Sequence, residues 1–400
     1  MKDIAIVSAA RTAVGDFGGS LKGFTPTDLG VITAKAALER ASIDADAVEQ
    51  VFYGNVIHTE PRDMYVSRTI ALESGVAESA PALTVNRLCG SGLQAIVSGI
   101  QAIGMGEAEV VLAGGTESMS RSAHILPSAR WGQKMGDVKA VDMMTAALHD
   151  PFGHGHMGVT AENVSEKYGI SREAQDAFAV ESHRRAAQAI ENGYFADQIV
   201  PISVKSRKGE TVFEADEHVR GDANAADLAK LRAVFKKEGS VTAGNASGIN
   251  DGSASLVLMT KEAAAERGTR PMARVVSYGH AGVDPKYMGI GPVPAMKVAL
   301  ERAGLTVADL DVVESNEAFA AQACAVNSEL GLDPTKVNPN GGAVAIGHPI
   351  GASGAIIATK LVYELQRTGG RFGAATMCIG GGQGIALIVE NLALRMSEPA

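Results

Sequence analysis

Three residues in this chain combine reactive chemistry with a setting that could use it. Cys89 follows the short extended run Val85-Asn86-Arg87-Leu88 and precedes Gly90-Ser91-Gly92, small residues that open a helical pattern. A thiol at such a strand-to-helix elbow faces unpaired N–H groups and the positive end of the helix macrodipole, which favour the thiolate. His348 is held between Gly347 and Pro349 in the glycine-rich stretch 340–354, and Cys378 closes an apolar run just ahead of Gly380-Gly381-Gly382. Backbone N–H groups of such glycine runs can approach a ligand closely. A nucleophilic thiol with an acid/base partner is the chemistry this set allows. Taken alone, the segment around Cys89 fits a small buried hydrophobe equally well. The 340–354 stretch could also be a phosphate cradle, although it lacks the Lys-Ser/Thr of a P-loop and does not fit a GxGxxG after a strand.

These residues need strands and helices to bring them together. Ile4-Ala5-Ile6-Val7 reads as a first strand, and Pro26-Thr27-Asp28 opens a helix, with Thr27 or Asp28 as cap and apolar residues at helical spacing through Leu38. Ala37-Leu38-Glu39-Arg40-Ala41 returns as Ala299-Leu300-Glu301-Arg302-Ala303, and Ser91-Gly92 returns as Ser353-Gly354, both at an offset of 262. Two matches in one register indicate an internal duplication, with two βαβ-type halves. Residues 119–250 differ in character. They are rich in glycine, histidine and charge and hold one convincing helix, capped by Ser171 and stopped by Gly193, with apolar positions Ala174, Phe178, Ala186 and Ile190. Ser255-Leu256-Val257-Leu258-Met259 reads as a strand returning to the first half. The expected organisation is a first half of residues 1–118 and 251–269, an inserted loop domain of residues 119–250, and a second half of residues 270–400. His149, His154 and His156 cluster in the insertion, but their spacing matches no zinc pattern, so no metal is expected.

Composition narrows the class of protein. With 46% hydrophobic and 20% charged residues, the chain can bury a large core. No apolar run reaches the ~18 residues of a membrane span, the N-terminus reads as a strand rather than a signal peptide, and residues 396–400 are no peroxisomal address. Three cysteines without CxxC spacing argue against disulfides and for a reducing cytoplasm. The net charge of −9 disfavours nucleic acid. Between Lys205 and Lys237, however, eight basic residues face six acidic ones, and a locally cationic segment on an acidic chain suits a small polyanion. A merely solvated charged face is the other reading of that segment.

Cys89, His348 and Cys378, together with Asn316-Glu317-Ala318-Phe319, resemble the motifs of the thiolase family, and the resemblance covers essentially the whole chain. The stretches 58–65 (HTEPRDMY) and 156–163 (HMGVTAEN) are similar to bacterial acetyl-CoA acetyltransferases, or β-ketothiolases, that supply polyhydroxyalkanoate precursors. The resemblance implies an α/β thiolase fold: two duplicated βαβ-type halves packed back to back in five layers, α-β-α-β-α, with an inserted loop domain. It also implies a cytoplasmic homotetramer that works on acetyl-CoA, short β-ketoacyl-CoA and free CoA without any cofactor.

The roles implied by that resemblance are chemically coherent. Cys89 would carry the acyl group, with His348 taking its proton. Cys378 would remove or return the α-proton of acetyl-CoA. Asn316, through a water, and His348 would hold the enolate oxygen, while the N–H groups of Cys89 and Gly380 would hold the oxygen of the tetrahedral intermediate. By the same resemblance Arg220 would face the nucleotide, Phe235, Ala243 and Ser247 would line the adenine and pantetheine path, and Leu148, His156, Met157, Met288, Ala318 and Phe319 the thioester end. Asp227 stands where many relatives carry serine or another small residue and Ala233 where many carry proline, and Cys324 reads as core. A longer-chain thiolase of fatty-acid degradation and a non-catalytic CoA- or lipid-binding relative are the alternative readings. A decarboxylating condensing enzyme is disfavoured by Cys378 and the Asn-Glu-Ala-Phe motif.

Overall fold

The central strands are apolar on both faces, and this decides the architecture. In the strand Val110–Ser118, which is buried throughout, Val111 and Ala113 face one core while Val110 and Leu112 face another. A strand buried on both sides must lie between two layers. This computed structural model describes residues 3–206 and 209–392; Arg207 and Lys208 of the basic segment, and residues 396–400, lie outside the described residues.

The first half contains strands β1 (Ile4–Arg11), β2 (Gln50–Gly54), β3 (Ala82–Val85), β4 (Val110–Ser118) and β5 (Asn250–Thr260) in the spatial order β3-β2-β4-β5-β1. The second half contains β6 (Ala273–Gly282), β7 (Val312–Ser315), β8 (Phe372–Ile379) and β9 (Gln383–Asn391) in the order β7-β8-β9-β6. Beyond β7, Val313 bridges Val337 in parallel, where the first half has β3. The pairing senses also match: β2–β4 and β7–β8 are parallel, whereas β4–β5, β5–β1, β8–β9 and β9–β6 are antiparallel. The expected duplication is therefore visible strand by strand. At one edge the sheets join through an antiparallel contact, Ala5 with Arg274 and Ile6 with Ala273.

The principal helices are α1 (Pro26–Ala41), α2 (Ser91–Met105), α3 (Met157–Tyr168), α4 (Arg172–Glu191), α5 (Pro292–Ala303), α6 (Ala320–Leu330) and α7 (Ile350–Thr368). α2 and α7 lie between the sheets, α1 covers the outside of the first and α5 the outside of the second, which completes the five layers. Gly92 and Gly354 permit the central contact. A Cβ on Gly92 would stand 2.7 Å from the Ala355 nitrogen, and one on Gly354 would collide with the Leu93 backbone. Ile96, Ile100 and Ile103 of α2 are fully buried, each worth ~1.5–3 kcal/mol of burial. The stretch Leu88–Met105 is by length and composition apolar enough to cross a membrane, contrary to the sequence expectation; it is the core helix between the sheets.

Two local expectations change. The cap of α1 is Thr25: its side chain accepts the Asp28 N–H, Asp28 reciprocates, and Pro26 fills the first turn. α4 keeps its Ser171 cap but turns a polar face inward. Gln175 donates to Ser165 and Ser240, Asp176 accepts from Asn245, and Ser182 donates to Glu317, so this face is held by hydrogen bonds while Ala174 is exposed. Residues 119–250, which hold α3 and α4, run from the end of β4 to the start of β5, two strands paired from Asp251–Ser118 to Met259–Val110.

Candidate active site

Cys89 sits where β3 gives way to α2. Leu88 is held at φ 46°, a left-handed conformation costly for a residue with a side chain. Ser91 locks this turn, its Oγ accepting the Arg87 N–H at 2.8 Å and donating to the Leu88 carbonyl at 2.6 Å. The elbow is as expected, but its effect on the thiol is not. Burial pushes the Cys89 thiol up to about 11, against the N–H groups of Gly380 and of Cys89 itself, and the carboxylate of Glu117 adds to the rise. Desolvation outweighs the helix terminus, so the resting group is a thiol.

The glycine-rich loop places His348 at the start of α7. Its N–H donates to Asn250 Oδ1 at 2.9 Å, and its Nδ1 lies 2.6 Å from Ser353 Oγ. That hydroxyl donates its one proton to the Pro349 carbonyl at 2.9 Å. It therefore accepts from Nδ1–H, which leaves the lone pair on Nε2. Nε2 is buried without a protein partner, and His348 lines the cavity. Burial pushes the imidazole down to about 4, so it is neutral near pH 7.

Cys378 is the last residue but one of β8 and is fully buried; burial, and then the neighbouring Cys89, push its thiol far up. Gly380 presents its N–H to the Cys89 sulfur from the turn that follows. Asn316, just past β7, anchors its own N–H on the Thr376 carbonyl at 2.9 Å, while both of its side-chain amide atoms are buried without a protein partner. It borders a small internal space shared with Gly347 and Ser353 rather than the main cavity.

That cavity, of about 430 Å³, brings Cys89, His348 and Cys378 together with Leu148, His156, Met157, Phe235, Ala243, Ser247, Met288, Ala318 and Phe319. His156 Nδ1 accepts the Gly158 N–H at 3.0 Å and its ring stacks on Phe235 at 4.7 Å, which fixes the wall. Arg220 does not join the lining. Its side chain is 55% exposed, and its guanidinium contacts Asp16 and the Glu217 carbonyl, each at 3.1 Å. Asp227 likewise pairs locally, with Lys230 at 2.7 Å. Cys324 is half-buried on α6. Among the described residues no group of three His, Cys, Asp or Glu could hold a metal ion, and His149 Nδ1 lies 2.7 Å from the Thr145 carbonyl.

Sequence reasoning missed several lining residues, among them Met119, His218, Thr242, Ile249 and Ile350. The available signals were adjacency for Met119, the residue after β4, and for Ile350, two residues past His348. It also missed the buried Glu117, which accepts N–H groups from Val56 at 3.1 Å, Ile57 at 3.1 Å and Gly351 at 2.8 Å. Glu117 thus ties the first turn of α7 to the first half.

Comparisons with known proteins bear on the family and the fold. The family model for the thiolase N-terminal domain matches residues 4–262, and that for the thiolase C-terminal domain matches residues 269–391. The chain is 61% identical to the beta-ketothiolase BktB of Cupriavidus necator over 98% of its own length and 100% of the relative's. It is 52% identical to the acetyl-CoA acetyltransferase of Thiocystis violacea, over 97% and 99%. Human mitochondrial 3-ketoacyl-CoA thiolase, solved in complex with CoA, superposes with a TM-score of 0.95 at 46% identity, covering 98% of each chain. An elbow cysteine, a buried neutral histidine and a second buried cysteine thus meet in one cavity of a duplicated five-layered fold, and the chain belongs to the thiolase family.

Proposed function

We propose that this protein is an acetyl-CoA C-acetyltransferase that joins two acetyl-CoA into acetoacetyl-CoA and CoA, and in reverse thiolyses short β-ketoacyl-CoA. The observation that carries the proposal is the shared cavity, in which a thiol that can hold an acyl group faces a neutral imidazole and a second thiol. In condensation, Cys89 attacks the first thioester while His348 Nε2 takes the thiol proton, and Cys378 gives its own proton to the departing CoA sulfur and becomes a thiolate. Cys378 then removes the α-proton of a second acetyl-CoA. The carbanion attacks the acyl carbonyl, and Cys89 leaves as a thiolate that recovers its proton from His348. A strongly proton-holding Cys378 suits this exchange, because it keeps the proton once it has taken it and returns it to the enolate in thiolysis.

Two oxygens gather charge in turn. The N–H groups of Gly380 and Cys89 serve the tetrahedral intermediate, and His348 with Asn316, through a water, serves the enolate. The apolar walls around Phe235, Ala243 and Ser247 fit pantetheine, and the basic stretch around the half-exposed Arg220 meets the CoA phosphates. No cofactor or metal enters the reaction. We further infer a cytoplasmic homotetramer that feeds polyhydroxyalkanoate or fatty-acid metabolism, with no nucleic-acid or membrane partner.

The direct test is release of free CoA from acetyl-CoA alone, compared with malonyl-CoA. Release from acetyl-CoA without decarboxylation is expected. Activity confined to malonyl-CoA would make the protein a decarboxylating condensing enzyme, and binding without any release would make it a CoA-binding relative.

A further inference from the structure

The cavity has two apolar walls. Met157 and Met288 pack with Ala318, Phe319 and Cys378, whereas Cys89 packs on a separate cluster formed by Ile57, Met119 and Ile350. The reaction proposed above assigns the walls to different parts of the substrate. In thiolysis of R–CO–CH₂–CO–SCoA, Cys89 loses its proton to His348 and bonds to the β-carbon, and the bond from that carbon to the CH₂ breaks. The CH₂ carbon takes a proton from Cys378 and leaves as acetyl-CoA, so R–CO remains on Cys89. Free CoA then gives its proton to Cys378 and takes the acyl group, and Cys89 recovers its proton from His348.

The α-carbon therefore lies against Cys378 in every substrate. Only R varies, and R hangs from Cys89. Met157 and Met288, which the resemblance places at the thioester end, wall the constant part.

Resting on that reading, we propose that Met119 is the gate that sets acyl-chain length, opening for straight-chain R groups toward the short helix Met143–Ala147. Met119 is 1% exposed and lines the cavity beside Cys89. Behind it Met143, Met144 and Ala147, all half-buried, pack on the same cluster without reaching the cavity themselves. The chain next to the gate is anchored, since the Ser120 N–H donates to Asp251 Oδ1 at 2.9 Å, so the side chain can turn while the backbone stays. Methionine suits this work because three rotatable bonds let it repack around an added methylene. With Met143 and Met144 behind it, three such side chains could move in series.

The test is a panel of β-ketoacyl-CoA thiolysis rates at four, six, eight and ten carbons, run on the wild type, Met119→Ala, Met144→Ala and Met288→Ala. Met119→Ala should raise the kcat/KM ratio of eight over four carbons by about tenfold or more, the scale of one or two methylenes in an apolar pocket. Met144→Ala should shift the same ratio in the same direction by less, and serves if Met119→Ala does not fold. Met288→Ala should lower turnover at all lengths without favouring the long ones. An unchanged ratio in both Met119→Ala and Met144→Ala, or a rise found only in Met288→Ala, would overturn the gate while leaving the acyl-transfer reading intact. A wild type that thiolysed no chain length would overturn that reading and the gate with it.

Discussion

At the scale of single residues, the site depends on where protons rest. A half-buried thiol pushed up to about 11 by desolvation is protonated at neutral pH, so the thiolate fraction, and with it alkylation by iodoacetamide, should climb through pH 9 and 10. A plateau already reached by pH 8 would mean that the elbow does stabilise the resting thiolate. His348 has the opposite shift: pushed down to about 4, it stays neutral and able to accept a proton well below the usual histidine range. Its tautomer rests on Ser353, which holds Nδ1–H at 2.6 Å. Ser353→Ala should lower kcat by ~10²-fold, at the low end of what a positioned general base supplies, and shift the ¹⁵N resonances of His348 toward the other tautomer. Ser353→Thr, which keeps the hydroxyl, should restore both. Wild-type turnover in the alanine variant would remove Ser353 from the account. The types and positions of Cys89, His348 and Cys378 were legible in the sequence, whereas the direction of the thiol shift was not, because desolvation depends on walls contributed by distant segments.

At the scale of elements, the duplication does the positioning. Ser91 and Ser353, equivalent under the internal repeat, lie in the first turns of the paired central helices α2 and α7; the Ser353 hydroxyl holds His348 itself, and that of Ser91 fixes Arg87 and Leu88 just before Cys89. The repeat, the elbow, the returning strand β5 and the Ser171 cap were legible because they are local in sequence. The cap of α1 at Thr25 and the polar inward face of α4 were not, since the first turns on a one-residue difference in turn geometry and the second on partners such as Glu317 and Asn245 that lie far along the chain. The closeness of α2 and α7 gives a stability prediction. Gly354→Ala would press a methyl group into the Leu93 backbone, and overpacking of this kind costs ~1–3 kcal/mol. Its thermal midpoint should fall by several degrees, and an unchanged midpoint would show that the helices can move apart freely.

At the scale of the whole molecule, the site exists only because the two halves and the segment 119–250, which runs from β4 to β5 of the first half, meet. The first half supplies Cys89, the second His348 and Cys378, and residues 119–250 supply His156, Phe235 and Ser247 to the same cavity. Glu117 ties the halves beneath it, joining Val56 and Ile57 to the first turn of α7. Most of the residues assigned by family resemblance line one cavity, whereas Arg220 stands half-exposed beside Asp16 and Asn316 borders the neighbouring internal space. A long charged side chain is the least constrained by sequence pattern, which is why its position was not legible in the sequence. The central claim is that the acyl group passes through Cys89 while Cys378 only moves protons. Incubation with radiolabelled acetyl-CoA, followed by proteolysis and peptide mapping, tests it most directly. The account predicts label on the peptide that contains Cys89, retained in Cys378→Ala and lost in Cys89→Ser; label on Cys378 or Cys324, or none at all, would contradict it.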